Sequence, residues 1–357
     1  MKKSFWQILF ILSFTMLPSS AKDEKPGPPA LTKAFINRIT IPEEEGVIKK
    51  RFFPDGKNAP VLLIILRDIP CHYEAQNQIA KILKRLVTTY DMDLVLVEGS
   101  AGTIDTTPFA AFKDEKVKQE FTDYFIKQGK ITGPESLAIN SDLQFHIYGI
   151  ENEDIYAEFY SQFMSWIDVQ DSVKIQAFKL IQCLNQMNRS LSSPLKKEAD
   201  TLIRHLGLLL KLFTLKVTEA EYHTVLDQIK DDDFKKAQRF ILTHGPALHV
   251  HLNLQVNHSL LDQYLPKVIA YYQTAVKRKC LNLDYVLTAF QNLKKDRAVF
   301  TVSNVYDDAA LQVAKEAEKR NMAVIYIEPY LVNPNAPTPY IKVMKEQASS
   351  VKGYRPS

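Results

Sequence analysis

"VLLIILRDIPCHYEAQNQIAKIL", Val61 to Leu83, changes character twice within its length. Val61–Leu66 is unbroken and apolar, as a strand reads when both faces of its sheet are covered. Arg67 to His72 is a polar turn that carries Pro70. Beyond it Ala75, Ile79, Ile82, Leu83 and Leu86 fall at helical spacing. The stretch therefore predicts a strand running through a turn into a helix. "DLVLVEG", Asp93 to Gly99, supplies the next short apolar strand, Leu94–Val97. A β–α–β unit of this kind implies parallel strands and a right-handed crossover.

Outward from this unit the pattern repeats. "QFHIYGI" (Gln144–Ile150) reads as a third strand, preceded by a helix marked by Val117, Phe121, Tyr124 and Phe125. "AVFTVS" (Ala298–Ser303) and "AVIYIE" (Ala323–Glu328) are a fourth and fifth. The helix between them is expected to be capped by Asp307 and to stop near Asn321. From 151 to 265 strand signals vanish. Long amphipathic stretches follow one another, with a break near Asp168–Asp171 and a Thr218-x-x-Glu221 capping box. A last long helix, with Pro266 near its start, leads back to the sheet. The fold class is α/β: a mainly parallel central sheet with flanking helices, interrupted by a long all-α insertion. The expected divisions are a core formed by 59–150 and 266–334, and a helical insertion over 151–265. A polar, Pro-rich arm covers 22–58, and a loose tail covers 335–357.

Apolar residues make up 46% and charged residues 24%, with a net charge of +4 and no basic stripe. That balance belongs to an ordinary globular chain and gives no footprint for nucleic acid. Residues 1–21 have the form of a signal peptide: Lys2-Lys3, an apolar run, then small residues Ser19 and Ala21. The run falls short of the roughly 20 residues a membrane span needs. The chain is expected to be exported to a periplasmic or extracellular space, with no transmembrane span once mature. Three cysteines, Cys71, Cys183 and Cys280, allow one bridge at most, and nothing in their spacing demands it.

In an open α/β sheet ligands gather outside the carboxyl ends of the strands. Those ends carry Arg67, Asp68, Cys71, His72 and Glu74 after the first strand and Glu98 after the second. Glu151, Glu153 and Asp154 follow the third, Tyr306, Asp307 and Asp308 the fourth, and Glu328 ends the fifth. Clustered carboxylates with a histidine can hold a divalent cation or share a proton for acid/base work. Each can equally serve as a helix cap. Glu98 stands apart: it directly follows Leu-Val-Leu-Val, so its carboxylate needs a partner, for which Arg67 and Arg278 are available. Gly99–Gly102 lacks the Lys-Ser/Thr of a phosphate loop, and no Gly-x-Ser-x-Gly elbow occurs. His244, His249, His251 and His258 have no zinc-site spacing. Tyr156, Phe159, Tyr160, Phe163 and Trp166 are at core-packing spacing, or line an apolar groove.

Six stretches in order resemble one superfamily. They are "RDIPCHYEAQ" (Arg67–Gln76), "LVEGSAG" (Leu96–Gly102), "DYFIKQGKITGPESLAI" (Asp123–Ile139), "YGIENEDIY" (Tyr148–Tyr156), "YYQTAVKRKCLNLDYVL" (Tyr271–Leu287) and "VFTVSNVYDDAALQVAKEAEKRNMAVIYIEPYL" (Val299–Leu331). The superfamily holds the Tiki and TraB metalloprotease-like proteins, the ChaN haem-binding proteins and the erythromycin esterases. An uncharacterised bacterial exported branch is the nearest likeness. The resemblance implies site roles for Glu98, for Arg278 on the long helix, and for the turn carrying Tyr306 and Asp307. It also implies histidines where this chain has Pro70 and Tyr306. Proline neither titrates nor ligates, and tyrosine is a poor base below its pKa of about 10. His72 with Glu74 is positioned to compensate if the turn is re-routed.

Three readings follow. One is a catalytically degenerate protein that binds a small ligand or peptide in the cleft. Another is a metal-dependent ester or peptide hydrolase. It would use Glu98, His72, Glu74, Arg278 and Tyr306, with His72, Glu98 and Asp307 on a divalent metal. The third is an envelope interaction module acting through the helical insertion. A divalent metal or haem are the cofactors the resemblance implies.

Overall fold

The computed structural model describes residues 30–351, apart from 215, 230, 231, 254, 258 and 304–308. For 219, 276–282, 309, 312 and 347–351 it describes the backbone alone. The segment expected to be a signal peptide, and Tyr306, Asp307 and His258, thus lie outside the described residues.

The described residues open with a short helix α1 (Lys33–Arg38) and an edge strand β1 (Gly46–Phe52), in a region expected to be a polar, Pro-rich arm. The core unit follows: β2 (Leu62–Asp68), α2 (Tyr73–Tyr90) and β3 (Leu94–Val97). A short strand β4 (Ala101–Thr103) and helices α3 (Thr107–Ala110), α4 (Glu115–Lys127) and α5 (Gly133–Ile139) lead to β5 (His146–Ile150). The insertion comprises α6 (Glu153–Trp166), α7 (Gln170–Asn188), α8 (Ser193–Phe213), α9 (Glu219–Gln228) and α10 (Asp233–His244). A 35-residue helix, α11 (Ser259–Leu293), returns to β6 (Arg297–Ser303), α12 (Ala309–Lys319) and β7 (Ala323–Pro329). The segment expected to be a loose tail forms α13 (Tyr340–Val351).

The sheet has seven strands in the order β1-β7-β2-β6-β3-β5-β4. The five central strands are parallel, and an antiparallel strand closes each edge. Alternation along β2 assigns its side chains to opposite layers. Leu62, Ile64 and Leu66 join α1 and α2 residues in one buried cluster. Leu63 and Ile65 join α11 and α12 residues in another. A third apolar core, around Phe163, Trp166, Leu209 and Tyr271, belongs to the helical insertion. α11 serves two of these cores. Its Tyr271–Ala275 portion packs in the insertion, and Leu283–Phe290 packs on the sheet. Among the described residues, no helix is long and apolar enough to cross a membrane.

Candidate active site at the switch point of the sheet

Two crossovers leave the middle of the sheet in opposite directions. From β2 the chain passes through α2 to β3, two places along, over the face that holds Leu62 and Ile64. From β6 it passes through α12 to β7, two places the other way, over the opposite face. Strands β2 and β6 are neighbours, with Asp68 in register with Ser303 at their carboxyl ends. Divergence of this kind opens a crevice between the two strands, which is where doubly wound folds take ligands.

A cavity of about 220 Å³ lies there. Its floor is Asp68, Val97, Glu98, Gly99, Ser100 and Ser303. One side is the turn before α2, with Pro70, Cys71 and Gln76, facing Lys130, Thr132 and Glu135 around the start of α5. The roof comes from outside the sheet: Tyr156, Phe159 and Tyr160 of α6, and Tyr340, Val343 and Met344 of α13. The insertion thus closes the site as well as packing its own core.

Asp68 and Glu98 converge from strands on either side of β6. Glu98 lies one residue past the Val97–Thr301 register pair, and its Oε2 accepts the Ser303 N–H at 2.9 Å. Asp68 ends β2 on its buried face, and its Oδ1 accepts from Gln76 Nε2 at 2.6 Å. Burial pushes the Asp68 carboxyl up to about 6, against the Gln76 hydrogen bond, and the Glu98 charge adds to the rise. Burial likewise raises Cys71, to about 11, with the Asp68 charge adding, so this thiol is a poor nucleophile. Cys71 and Cys183 are both free. Glu135 accepts the Thr132 N–H at 2.7 Å and is raised by burial. Above them the Tyr156 and Tyr160 hydroxyls are hydrogen-bonded at 2.7 Å, their rings edge to face.

The other strand-end groups have different work. Pro70 and a left-handed Cys71 (φ 60°) turn the chain so that His72 caps α2. His72 Nδ1 accepts the Ala75 N–H at 3.2 Å, which leaves Nε2–H to donate to the Asn333 carbonyl at 3.0 Å. Glu74 accepts the N–H groups of Val332 and Asn333. Neither His72 nor Glu74 lines the cavity; together they tie the segment after β7 to the start of α2. Arg67 pairs with Glu328 on the neighbouring strand at 3.5 Å, not with Glu98. Glu151 accepts the Gly99 N–H at 3.1 Å, and Glu153 and Asp154 sit in the first turn of α6. Arg278 lies on α11 between its two packing regions, in the part described by backbone alone. Of the candidate site residues chosen from sequence, the structure puts Glu98 in the cavity.

Among the described residues, no three His, Cys, Asp or Glu side chains are grouped to hold a metal ion. Of the expected triad His72, Glu98 and Asp307, His72 caps α2 and donates to the Asn333 carbonyl, and Asp307 lies outside the described residues. The reading of strand ends named Asp68 without giving it a role, and it passed over Gln76 and Glu135. Asp68 shares parity with Leu62, Ile64 and Leu66, which marks it as inward-facing at the end of a covered strand. Thr132 and Glu135 repeat the Thr-x-x-Glu spacing of Thr218 and Glu221.

A larger cavity, about 620 Å³, lies at the amino ends of the strands beside Asp91, Asp93, Lys294, Lys295, Asp296 and Arg297. There Lys295 is paired with Asp93, and Arg297 with Asp296. Its carboxylates stand at the amino ends of the strands, so the carboxyl-end cavity is the candidate site despite its smaller volume. Compared with known proteins, the chain matches no protein-family model, no curated protein and no solved structure.

Proposed function

We propose that this chain is an exported α/β protein of the Tiki, TraB, ChaN and erythromycin-esterase type, and that it acts by binding a small ligand in its strand-end cavity rather than by imidazole chemistry. One observation carries the reading. The described lining holds three carboxylates and three tyrosines but no histidine, while His72, the histidine of the turn beside it, has both ring nitrogens engaged elsewhere. An imidazole held as a helix cap cannot also cycle a proton or ligate a metal in the cavity. The experiment is a thermal-shift screen of the purified chain against amines, polyols, peptides, haem and divalent metals. Chromogenic ester and peptide substrates are assayed alongside. A ligand at a hundred times its Kd should stabilise by about 2.7 kcal/mol. Turnover that His72→Ala abolishes would overturn the reading, as would a screen in which nothing shifts the melt.

The position of Asp68 supports a second reading, an acid/base hydrolase that works through carboxylates alone. A carboxyl raised to about 6 by burial, with a second carboxyl group close by, is the arrangement of a general acid or base. Ester hydrolysis whose rate follows a single ionisation near pH 6, and which disappears in Asp68→Asn, would favour it over binding alone.

A further inference from the structure

The two helices that roof the strand-end cavity are held in different ways. α6 is built into the insertion: Asn152 caps it by accepting the Ile155 N–H at 3.0 Å, and Phe159, Phe163 and Trp166 are almost fully buried. α13 follows the sheet through a largely exposed run, "NPNAPTP" (Asn333–Pro339). That run is fixed at its near end, where Glu74 accepts the Val332 and Asn333 N–H groups and His72 donates to the Asn333 carbonyl. Beyond the anchor, Pro334, Pro337 and Pro339 keep the chain extended and stiff. A stiff arm anchored at one end carries the helix at its other end as one body.

Tyr340, Val343 and Met344 fall at helical spacing, so one face of α13 meets the hollow. Val343 and Met344 are almost fully buried there. An ion pair stands on each side of this face. Glu346 pairs with Lys130 of the loop after α4, and Lys345 pairs with Asp168 in the turn after α6. α13 is thereby tied to both neighbours that it spans. All four charged side chains are well exposed to water. Pairs between exposed charges are individually weak, and dissolved salt screens them, while apolar burial does not weaken with salt in this way. The hold of α13 on the roof therefore has a component that ionic strength removes.

We infer that α13 is a lid on the strand-end cavity, swinging out on the 334–339 arm and latched shut by the Lys130–Glu346 and Lys345–Asp168 pairs. Its opening lets a guest in and out while the sheet and α6 stay folded. The inference adds a route of access to the reading that the cavity is a binding site. Its test uses no ligand, so the lid and the binding site fail separately.

Met344 reports the position of the lid, because its thioether is buried while α13 is docked. Met187 in the insertion core, and Met92 and Met322 in the two layers of the sheet, are buried at least as deeply and serve as controls. The full chain is treated with hydrogen peroxide, which adds one oxygen to an accessible thioether and is itself reduced to water. Peptide mass spectrometry follows each methionine. Met344 should oxidise about tenfold faster than the three controls. Its rate should rise about threefold between about 0.02 M and about 0.5 M salt, with the controls unchanged. Asp168→Asn, which removes one latch at the surface, should raise the Met344 rate at low salt about twofold. If Met344 oxidises as slowly as the controls, α13 opens only with the whole fold and the inference is overturned. A fast rate indifferent to both salt and Asp168→Asn overturns it as well, since α13 then moves without a latch. The salt comparison within the unaltered chain needs no variant, so poor folding of the substituted chain cannot shield the inference.

Discussion

Gln76 holds Asp68 in place with one end of its amide and α5 with the other. Its Nε2 donates to Asp68 Oδ1 at 2.6 Å, and its Oε1 accepts the Gly133 N–H at 2.8 Å. One buried side chain thus links the end of β2 to the start of the helix that brings Glu135. Gln76→Ala leaves a carboxylate and a helix N–H without these partners, at a cost of about 2–4 kcal/mol. Urea denaturation should show it as a lower midpoint with an unchanged slope. A loss under about 0.5 kcal/mol would mean that the link is incidental.

Asp68 makes stability depend on pH with a defined sign. Its carboxyl is raised from 3.8 to about 6 in the folded chain. Below about pH 4 it is protonated both folded and unfolded, and contributes no difference. Between about 4 and 6 the folded state keeps a proton that the unfolded state has released, so stability falls as pH rises through this window. Above it the full penalty stands, on the order of 3 kcal/mol at 1.36 kcal/mol per unit. Asp68→Asn keeps an oxygen for Gln76 and cannot ionise. It should therefore stabilise the chain at pH 8 and have little effect at pH 4, as measured by denaturation at both values. Destabilisation at pH 8 would show that the ionised carboxylate is the form the fold prefers.

His205 and Asp233 join α8 to α10 inside the insertion, with Nδ1 and Oδ2 3.0 Å apart and both side chains buried. His205→Ala removes one partner of a buried carboxylate that Lys236 also approaches at 3.7 Å, and should cost about 1–3 kcal/mol. A double-mutant cycle with Asp233→Asn should return a coupling of about 1–3 kcal/mol. Additive effects would remove the pair as a stabilising contact.

His72 and Glu74 are predicted to act on the start of α2 and on the segment after β7, not on the cavity. His72→Ala removes a helix cap worth about 1 kcal/mol. Glu74→Gln weakens the grip on Val332 and Asn333, whose N–H groups lower the Glu74 carboxyl. Hydrogen exchange should quicken at those two amides in both variants, with ligand binding in the cavity unchanged. Lost binding in either would return these residues to the site.

Gly149 carries the edge of the sheet past the loop after β3. A Cβ there would stand 2.2 Å from the Ser100 carbonyl oxygen, so the backbones must separate to admit one. Gly149→Ala should cost about 2–3 kcal/mol or more and unpair β4 from β5. Amide exchange across Ala101–Thr103 reports it; a variant that keeps that pairing and its melting temperature would contradict the close approach.

The central sheet was legible because Val61–Leu66, Leu94–Val97 and Ala298–Ser303 are too apolar to sit anywhere but between two layers. The edges were not. "GVIKKRF" in β1 is charged on its open side, and its register shifts between Ile48 and Lys50, so it lacks clean alternation. Helix α13 hides behind a Pro-rich approach, although Val343 and Met344 are buried. Within the site, Glu98 was legible from the apolar run before it. The path of His72 was not, because the sequence shows Pro70 but not the left-handed turn at Cys71 that follows from it. Distance along the chain hid the rest: that α6 and α13 roof the cavity depends on tertiary packing, which local periodicity does not carry.

That roof has a consequence for biosynthesis. Tyr340, Val343 and Met344 roof a hollow whose floor, apart from Ser303, is laid about 240–276 residues earlier. A nascent chain that has made every strand of the sheet still presents an open trough. Only when α13 docks on α6 does the trough gain its second roof element, so the ability to retain a guest reports that synthesis has run through α13.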